Sequence, residues 1–223
     1  MARPYVILNA AMTLDGKIAT VTGDSRISCD ADLDRVHRLR AESDAIMVGL
    51  GTVLADDPSL TVRRVRGRSP IRVVVDREAR TPPNARVLRG PAKTIVAVSR
   101  KAKPQRIKRL RAAGADVIVE GAEKVNLRRL LEELRSRGVR KLLLEGGSTL
   151  NWGMLEQGLV DEVRVAVAPY IAGGANAKTL VGGAGFAKVR ESAELKLSRV
   201  TRVGRDLLLI YQVVGVRGAE KAR

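Results

Sequence analysis

Short apolar runs alternate with longer stretches in which apolar side chains recur every three or four positions. The runs at Tyr5–Asn9, Ala45–Gly49, Ile71–Asp76, Thr94–Ser99, Asp116–Glu120, Lys141–Glu145 and Glu162–Pro169 are rich in β-branched residues. Val73-Val74-Val75 is the clearest case, and such content favours strand over buried helix. Between the runs, Asp30–Glu42, Pro104–Ala113, Asn126–Arg137 and Thr149–Gln157 carry helical spacing, as in Leu127, Leu130, Leu131 and Leu134. The alternation predicts an α/β domain with amphipathic helices packed on a sheet, rather than a bundle or a sandwich.

Two further strands, Glu194–Val200 and Asp206–Val213, are separated by the Val203-Gly204-Arg205 turn. So short a link permits only antiparallel pairing. The expected sheet is therefore mixed, which weakens a pure Rossmann assignment. Repeats, low-complexity linkers and composition breaks are absent from the sequence, so residues 1–217 read as one domain with a frayed tail at 218–223.

Composition narrows the function. Of 223 residues, 45% are hydrophobic and 29% charged, which excludes a disordered chain. The net charge of +17 points to a phosphate-bearing partner, either nucleic acid or a small anion. With one Phe, one Trp and three Tyr, base-stacking platforms are disfavoured. The single Cys29 and single His37 cannot form a disulfide or a zinc cluster, so the chemistry is expected to run without metal. They also argue against cysteine-protease or Ser-His-Asp chemistry, and His37 reads as a helix-surface residue. No apolar run is long enough to span a membrane and no secretory signal opens the chain. A soluble, cytoplasmic protein is expected.

The sharpest local signal is Leu142-Leu143-Leu144-Glu145-Gly146-Gly147-Ser148-Thr149-Leu150, a strand entering two glycines, two hydroxyls and a helix. Backbone amides at such a helix start favour phosphate oxygens; alternatively, Ser148 simply N-caps the helix. Glu145, at a strand's carboxyl end, reads either as a ligand or proton-handling group or as half of an ion pair. Gly49 to Arg63 packs glycines, Thr52, the Asp56-Asp57 pair and Pro58 into one passage, a ligand loop or a helix stop. Asp76-Arg77 closes another strand with Arg80 close behind. A strand-end acid suits a ribose hydroxyl and a nearby Arg a 2′-phosphate, against the alternative of solvated surface arginines.

Together, Met12-Thr13-Leu14-Asp15-Gly16-Lys17-Ile18-Ala19, Gly23-Asp24-Ser25-Arg26-Ile27-Ser28, Thr52 to Pro58 with Leu60-Thr61-Val62-Arg63, and Glu145 to Leu150 resemble the reductases of riboflavin biosynthesis. The resemblance is strongest to the archaeal 2,5-diamino-6-ribosylamino-4(3H)-pyrimidinone 5′-phosphate reductase type, in order and over almost the whole chain. It implies a dihydrofolate-reductase-like α/β fold: a mixed, mainly parallel sheet flanked by helices, with antiparallel C-terminal strands. It also implies a homodimer that uses NADPH, or NADH, to reduce a ribosyl side chain to ribityl. By family position, Ala11, Ile27, Thr52, Asp56, Asp76, Arg77 and the loop Gly146, Gly147, Ser148, Thr149, Leu150 contact the cofactor. Ser25, Arg40, Leu60, Arg63 and Glu145 line the phosphorylated ribosylaminopyrimidine, with Arg40 and Arg63 suited to its 5′-phosphate. Glu145 is the expected catalytic polar group, with Asp15 or Asp57 behind it.

The bifunctional relatives' zinc deaminase signature has no counterpart here, so deamination is not expected. Three other readings stand beside this one: the same reduction on the deaminated pyrimidine, a phosphate-ligand sensor without turnover, and a basic nucleic-acid module. The last rests on Arg106, Lys108, Arg109, Arg111 and Arg135, Arg137, Arg140, Lys141, which no nucleic-acid-binding motif accompanies.

Overall fold

In the computed structural model, which describes residues 2–216, the apolar runs are strands and the periodic stretches are helices. In chain order they are β1 (Tyr5–Thr13), α1 (Asp30–Ala41), β2 (Ala45–Gly49), α2 (Leu50–Asp56), β3 (Ile71–Val75), β4 (Thr94–Val98), α3 (Pro104–Ala112), β5 (Asp116–Val119), α4 (Leu127–Ser136), β6 (Lys141–Leu144), α5 (Ser148–Glu156), β7 (Glu162–Ala168), β8 (Ala193–Val203) and β9 (Asp206–Val216). The tail expected at 218–223 lies outside the described residues. The chain divides into a first unit, residues 2–5 with 37–143, and a second, 6–36 with 144–216.

In the first unit the strand order is β5-β4-β3-β2, with every pair parallel. Val48, Val74, Val96 and Val117 lie side by side across the four strands. Val48, Val74 and Val96 are fully buried, as strands covered on both faces require. Helix α4 adds Leu127, Leu130, Leu131 and Leu134, all buried, each contributing about 1.5–3 kcal/mol of transfer free energy. Asn126 starts this helix by accepting the Arg129 amide at 3.1 Å, and Pro104 occupies the first turn of α3, where its missing N–H costs nothing.

Helix α2 departs from expectation, since the Gly49 to Arg63 passage reads as strand into loop. The helix-stop alternative for Asp56-Asp57-Pro58 is what forms. Asp57 adopts a left-handed conformation at φ 38° and its N–H closes the helix on the Val53 carbonyl.

In the second unit β1 pairs in parallel with β7, β7 antiparallel with β9, and β9 antiparallel with β8. Gly204, at φ 61°, makes the tight β8–β9 turn. The sheet is thus mixed and mainly parallel with antiparallel C-terminal strands, as expected. β1 runs to Thr13 rather than Asn9, because its register with β7 continues to Thr13 opposite Ala168. Among the described residues no helix is long and apolar enough to cross a membrane.

Candidate active site

Parallel strands deliver their carboxyl ends to one edge, where α/β sheets bind ligands. In the first unit that edge carries two of the predicted segments. β2 turns directly into α2, whose N-cap Gly49 offers no side-chain hydrogen bond. Thr52 is half-buried in this helix and Asp56 exposed at its end.

The next residues form a braced loop. Asp57 Oδ1 accepts the Arg86 amide at 2.8 Å, which ties this predicted catalytic carboxylate to backbone. Leu60 has φ 52°, a costly conformation for a bulky residue that persists only where surroundings enforce it. Its side chain is 2% exposed; it belongs to the core, so Leu60 presents backbone rather than side chain to any ligand. Arg40 Nη1 donates to the Thr61 carbonyl at 3.3 Å, and Arg63 Nη1 to Ser59 Oγ at 3.1 Å. The two predicted phosphate clamps are thereby fixed on one segment.

His37 corrects its expected surface position. It is buried, and its Nδ1 accepts the Arg63 amide at 3.1 Å, because its place on α1 turns it inward beneath the loop.

At the end of β3 the acid and the arginine part company. Asp76 is fully buried. Its Oδ2 accepts both the Thr81 amide, at 2.6 Å, and the Thr81 hydroxyl, at 2.7 Å. This carboxylate shapes the turn from within instead of offering itself to a ribose hydroxyl. Arg77 is exposed and stands 3.6 Å from Glu78. Among the described residues Arg72 is the one wholly internal arginine: it donates to the Arg89 carbonyl at 2.7 Å and the Ala92 carbonyl at 2.5 Å, and burial lowers its pKa.

In the second unit, Ala11 is half-buried on β1, and the strand ends in the Thr13 to Lys17 turn. Asp15 Oδ1 accepts the Thr13 hydroxyl at 2.5 Å and the Ala172 amide at 3.1 Å, while Oδ2 accepts the Gly173 amide at 2.7 Å. The hydroxyl first, then the two amides, pull its pKa from 3.8 to about 2. Asp15 therefore carries no proton near neutral pH, and its bonds pin the 172–173 backbone. Lys17, from the same matched segment, pairs with Thr179 along the backbone.

Ser25 is exposed between Asp24 and Arg26, whose side chains form a two-pronged pair at 2.9 and 3.0 Å. Ile27 is buried. Glu145 is half-buried at the end of β6 and leads into Gly146, at φ 85°. A Cβ there would stand 3.3 Å from the Asn151 side chain. The Gly146–Gly147 peptide is cis.

Gly147, not Ser148, is the N-cap of α5, with no side-chain cap bond; Ser148 is the first helical residue. The capping alternative is thus set aside, and the first amides of α5 have no side-chain cap. Thr149 is exposed and Leu150 buried. The 180–186 segment packs on this helix: the Gly182 amide donates to the Ser148 carbonyl at 3.1 Å, Asn151 Nδ2 donates to the Leu180 carbonyl at 2.8 Å, and Trp152 meets Phe186 at 4.8 Å between ring centroids.

One polar cluster escaped the sequence reading. Arg35 Nε donates to buried Asp32 at 2.7 Å, and Nη2 donates to Asn9 at 2.9 Å. Asp32 Oδ2 and Arg35 Nη1 are buried without a hydrogen bond. The spacing of Asp32 and Arg35 on one helix face was the available signal. No group of three metal-ligating side chains occurs among the described residues.

Comparison with known proteins supplies a family. Residues 4–209 match the RibD C-terminal domain. The chain is 57% identical over 216 residues to a protein of Methanothermobacter thermautotrophicus named 2,5-diamino-6-ribosylamino-4(3H)-pyrimidinone 5′-phosphate reductase; the match covers 96% of this chain and all of that one. A protein of the same name from Archaeoglobus fulgidus is 45% identical over 213 residues, covering 91% of this chain and 94% of that one. Among solved structures, Acinetobacter baumannii RibD superposes with a TM-score of 0.82 at 31% identity, over 95% of this chain and 58% of that longer protein.

Proposed function

Since the chain belongs to the RibD C-terminal domain family, we propose that it reduces the ribosyl side chain of 2,5-diamino-6-ribosylamino-4(3H)-pyrimidinone 5′-phosphate to ribityl, with NADPH as the preferred reductant over NADH. The observation that carries this reading is the 57% identity with a full-length archaeal relative of that name. Residues 1–217 then act as one reductase domain, since a single family match runs across 4–209.

The residues present fit a dinucleotide. In the second unit, Gly146 has a conformation that favours glycine, and the uncapped start of α5 supplies amides and the positive helix end to phosphate oxygens. Ala11, Ile27, Ser148, Thr149 and Leu150 complete that unit's share of cofactor residues. The first unit's candidates by family position are Thr52, Asp56 and the Asp76-Arg77 turn, with Asp76 acting through the shape it gives the turn. When bound, NADPH supplies a hydride to C1′ of the open-chain imine.

The chain's own residues bind, orient and handle the proton that the imine nitrogen gains. Arg40 and Arg63, braced on the Thr61 and Ser59 positions, hold the substrate phosphate beside the Leu60 backbone; Ser25 is the second unit's candidate by family position. Of the three candidate carboxylates, Asp15 and Asp57 hold backbone amides. Glu145, at the carboxyl end of β6 and by family position on the substrate side, is assigned the proton.

A homodimer belongs to the same reading. β8 is the terminal strand of its sheet and exposes Leu195, Leu197 and Val200, with Leu207 and Val214 on β9. A long apolar edge left open invites association, and a second copy of this chain suits it. A cytoplasmic location follows from use of the cell's nicotinamide pool.

The test is NADPH oxidation with the diaminopyrimidine phosphate beside its deaminated counterpart. Faster turnover of the diamino compound supports the reading, and turnover only of the other transfers the assignment to that substrate. Salt-sensitive DNA binding without nicotinamide binding would instead favour the nucleic-acid module.

A further inference from the structure

The net charge of +17 is not shared between the two units. Residues 1–5 and 37–143 hold 27 Lys and Arg against 11 Asp and Glu, whereas residues 6–36 and 144–223 hold 14 against 13. The unit that contains Arg40 and Arg63 therefore carries almost all of the excess. Contacts to a substrate phosphate use two of these cations and leave the rest without a task.

The densest run beside a clamp is Arg63-Arg64-Val65-Arg66-Gly67-Arg68, an arch of arginines without an acid. Its base is fixed. The Val62 amide donates to Ser69 Oγ at 3.1 Å across the two ends, and the Arg63 amide donates to His37 Nδ1 at 3.1 Å. Gly67 lies against the end of α1, where a Cβ would come within 2.6 Å of the Ala41 Cβ. The last turn of that helix adds Arg38 and Arg40. Arg64, Arg66 and Arg68 are exposed. Arg66 is three residues from Arg63, so their Cα atoms are no more than about 11 Å apart, and the closed base brings Arg68 back toward Arg63.

Screening decides what such charges can do. The screening length is about 30 Å at 0.01 M salt, about 8 Å at 0.15 M and about 3 Å at 1 M. At low and physiological salt the arch acts on an approaching phosphate dianion without touching it, and at 1 M it is silent. Guanidinium groups keep their charge at any working pH, so this attraction does not titrate.

In a step that rests on the reductase reading above, we propose that Arg64, Arg66 and Arg68 form an electrostatic funnel for the substrate's 5′-phosphate. They draw the phosphorylated molecule toward Arg40 and Arg63 and so set its preference over the free riboside. They determine specificity without touching substrate or cofactor. Part of the excess charge then serves a small phosphate ester in place of nucleic acid.

Turnover at saturating NADPH tests the funnel on the full chain, for the wild type, Arg66→Glu, Arg68→Glu and the double variant. The substrates are 2,5-diamino-6-ribosylamino-4(3H)-pyrimidinone 5′-phosphate and its dephosphorylated riboside. In the double variant kcat/KM for the phosphate should fall about tenfold at 0.01 M ionic strength and by less than about twofold at 1 M. Its kcat and its thermal midpoint should stay at the wild-type values, and the riboside should respond to neither salt nor substitution. A loss that persists at 1 M, or that the riboside shares, is structural and overturns the proposal. An unchanged kcat/KM at 0.01 M overturns it too, while leaving the reaction standing. Ribose 5-phosphate and ribose are titrated by calorimetry against the same four proteins at 0.01 M. A wild type that turns over no pyrimidine refutes the reaction, and this binding then decides the funnel: weaker ribose 5-phosphate binding by the double variant supports it, and equal binding overturns it.

Discussion

β4 in the first unit and β8 in the second both carry apolar residues, yet every residue of β4 is buried and none of β8 is. β4 is an internal strand with parallel neighbours on both sides; β8 ends the order and pairs with β9 alone. Apolar content therefore has two meanings in this chain. In the first unit it builds the core that positions strand ends, and in the second it also leaves an exposed apolar edge, the surface proposed above for a second copy.

The predicted site residues divide along similar lines. In the first unit acids and arginines are spent on bracing, as with Asp76 under its turn, Asp57 on Arg86 and Arg72 on Ala92 and Arg89. The second unit contributes Glu145 and the uncapped start of α5.

A charge placed in each region separates these meanings. Val74→Asp, buried between β2 and β4, should cost about 4 kcal/mol and unfold much of the protein, as read by thermal denaturation. A folded Val74→Asp with a near-normal midpoint would break the contrast. In the second unit, Glu145→Gln should lower turnover by about a hundredfold with nicotinamide binding kept. Undiminished turnover would remove Glu145 from the chemistry.

Leu197→Asp on β8 should alter the stability of the fold by no more than about 0.5 kcal/mol while converting dimer to monomer by light scattering. An unchanged dimer would place the interface elsewhere. The smallest effect concerns Asp15. Its folded-state pKa of about 2 lies below the ordinary 3.8, so its support for the 172–173 backbone is complete above pH 3.8 and fades as pH falls toward 2. Amide exchange at Ala172 and Gly173 should accelerate across that interval, and Asp15→Asn should abolish the pH dependence.

How much of this was legible in the sequence follows from range. Ala45–Gly49 is found with its predicted bounds, because a continuous apolar run between turn signals carries its own evidence. Helices α3 to α5 fall within a residue of expectation for the same reason. Helix α2 was missed because seven residues with two glycines and paired acids nearby give no usable period. For side chains the limit was tertiary. Sequence placed Asp76 at a strand end correctly, yet Thr81, five residues on, decides that its carboxylate points inward. His37 looked like a surface residue until the Arg63 amide, on another segment, gave it a buried partner.

The scarcity of aromatics also becomes intelligible locally. Trp152 and Phe186 meet on α5, and Arg205 lies 4.7 Å over the Tyr170 ring, so three of the five aromatic side chains fasten parts of the second unit. The core relies on Val, Leu and Ile instead.

The central claim is that this chain transfers a hydride to a ribosylaminopyrimidine phosphate. The most direct measurement follows NADPH absorbance with the purified full chain and 2,5-diamino-6-ribosylamino-4(3H)-pyrimidinone 5′-phosphate, with the product identified by mass. The account predicts one NADPH consumed for each ribityl product, two hydrogens heavier than the substrate. Absence of NADPH consumption and of that product, with either the diamino or the deaminated pyrimidine, would contradict it.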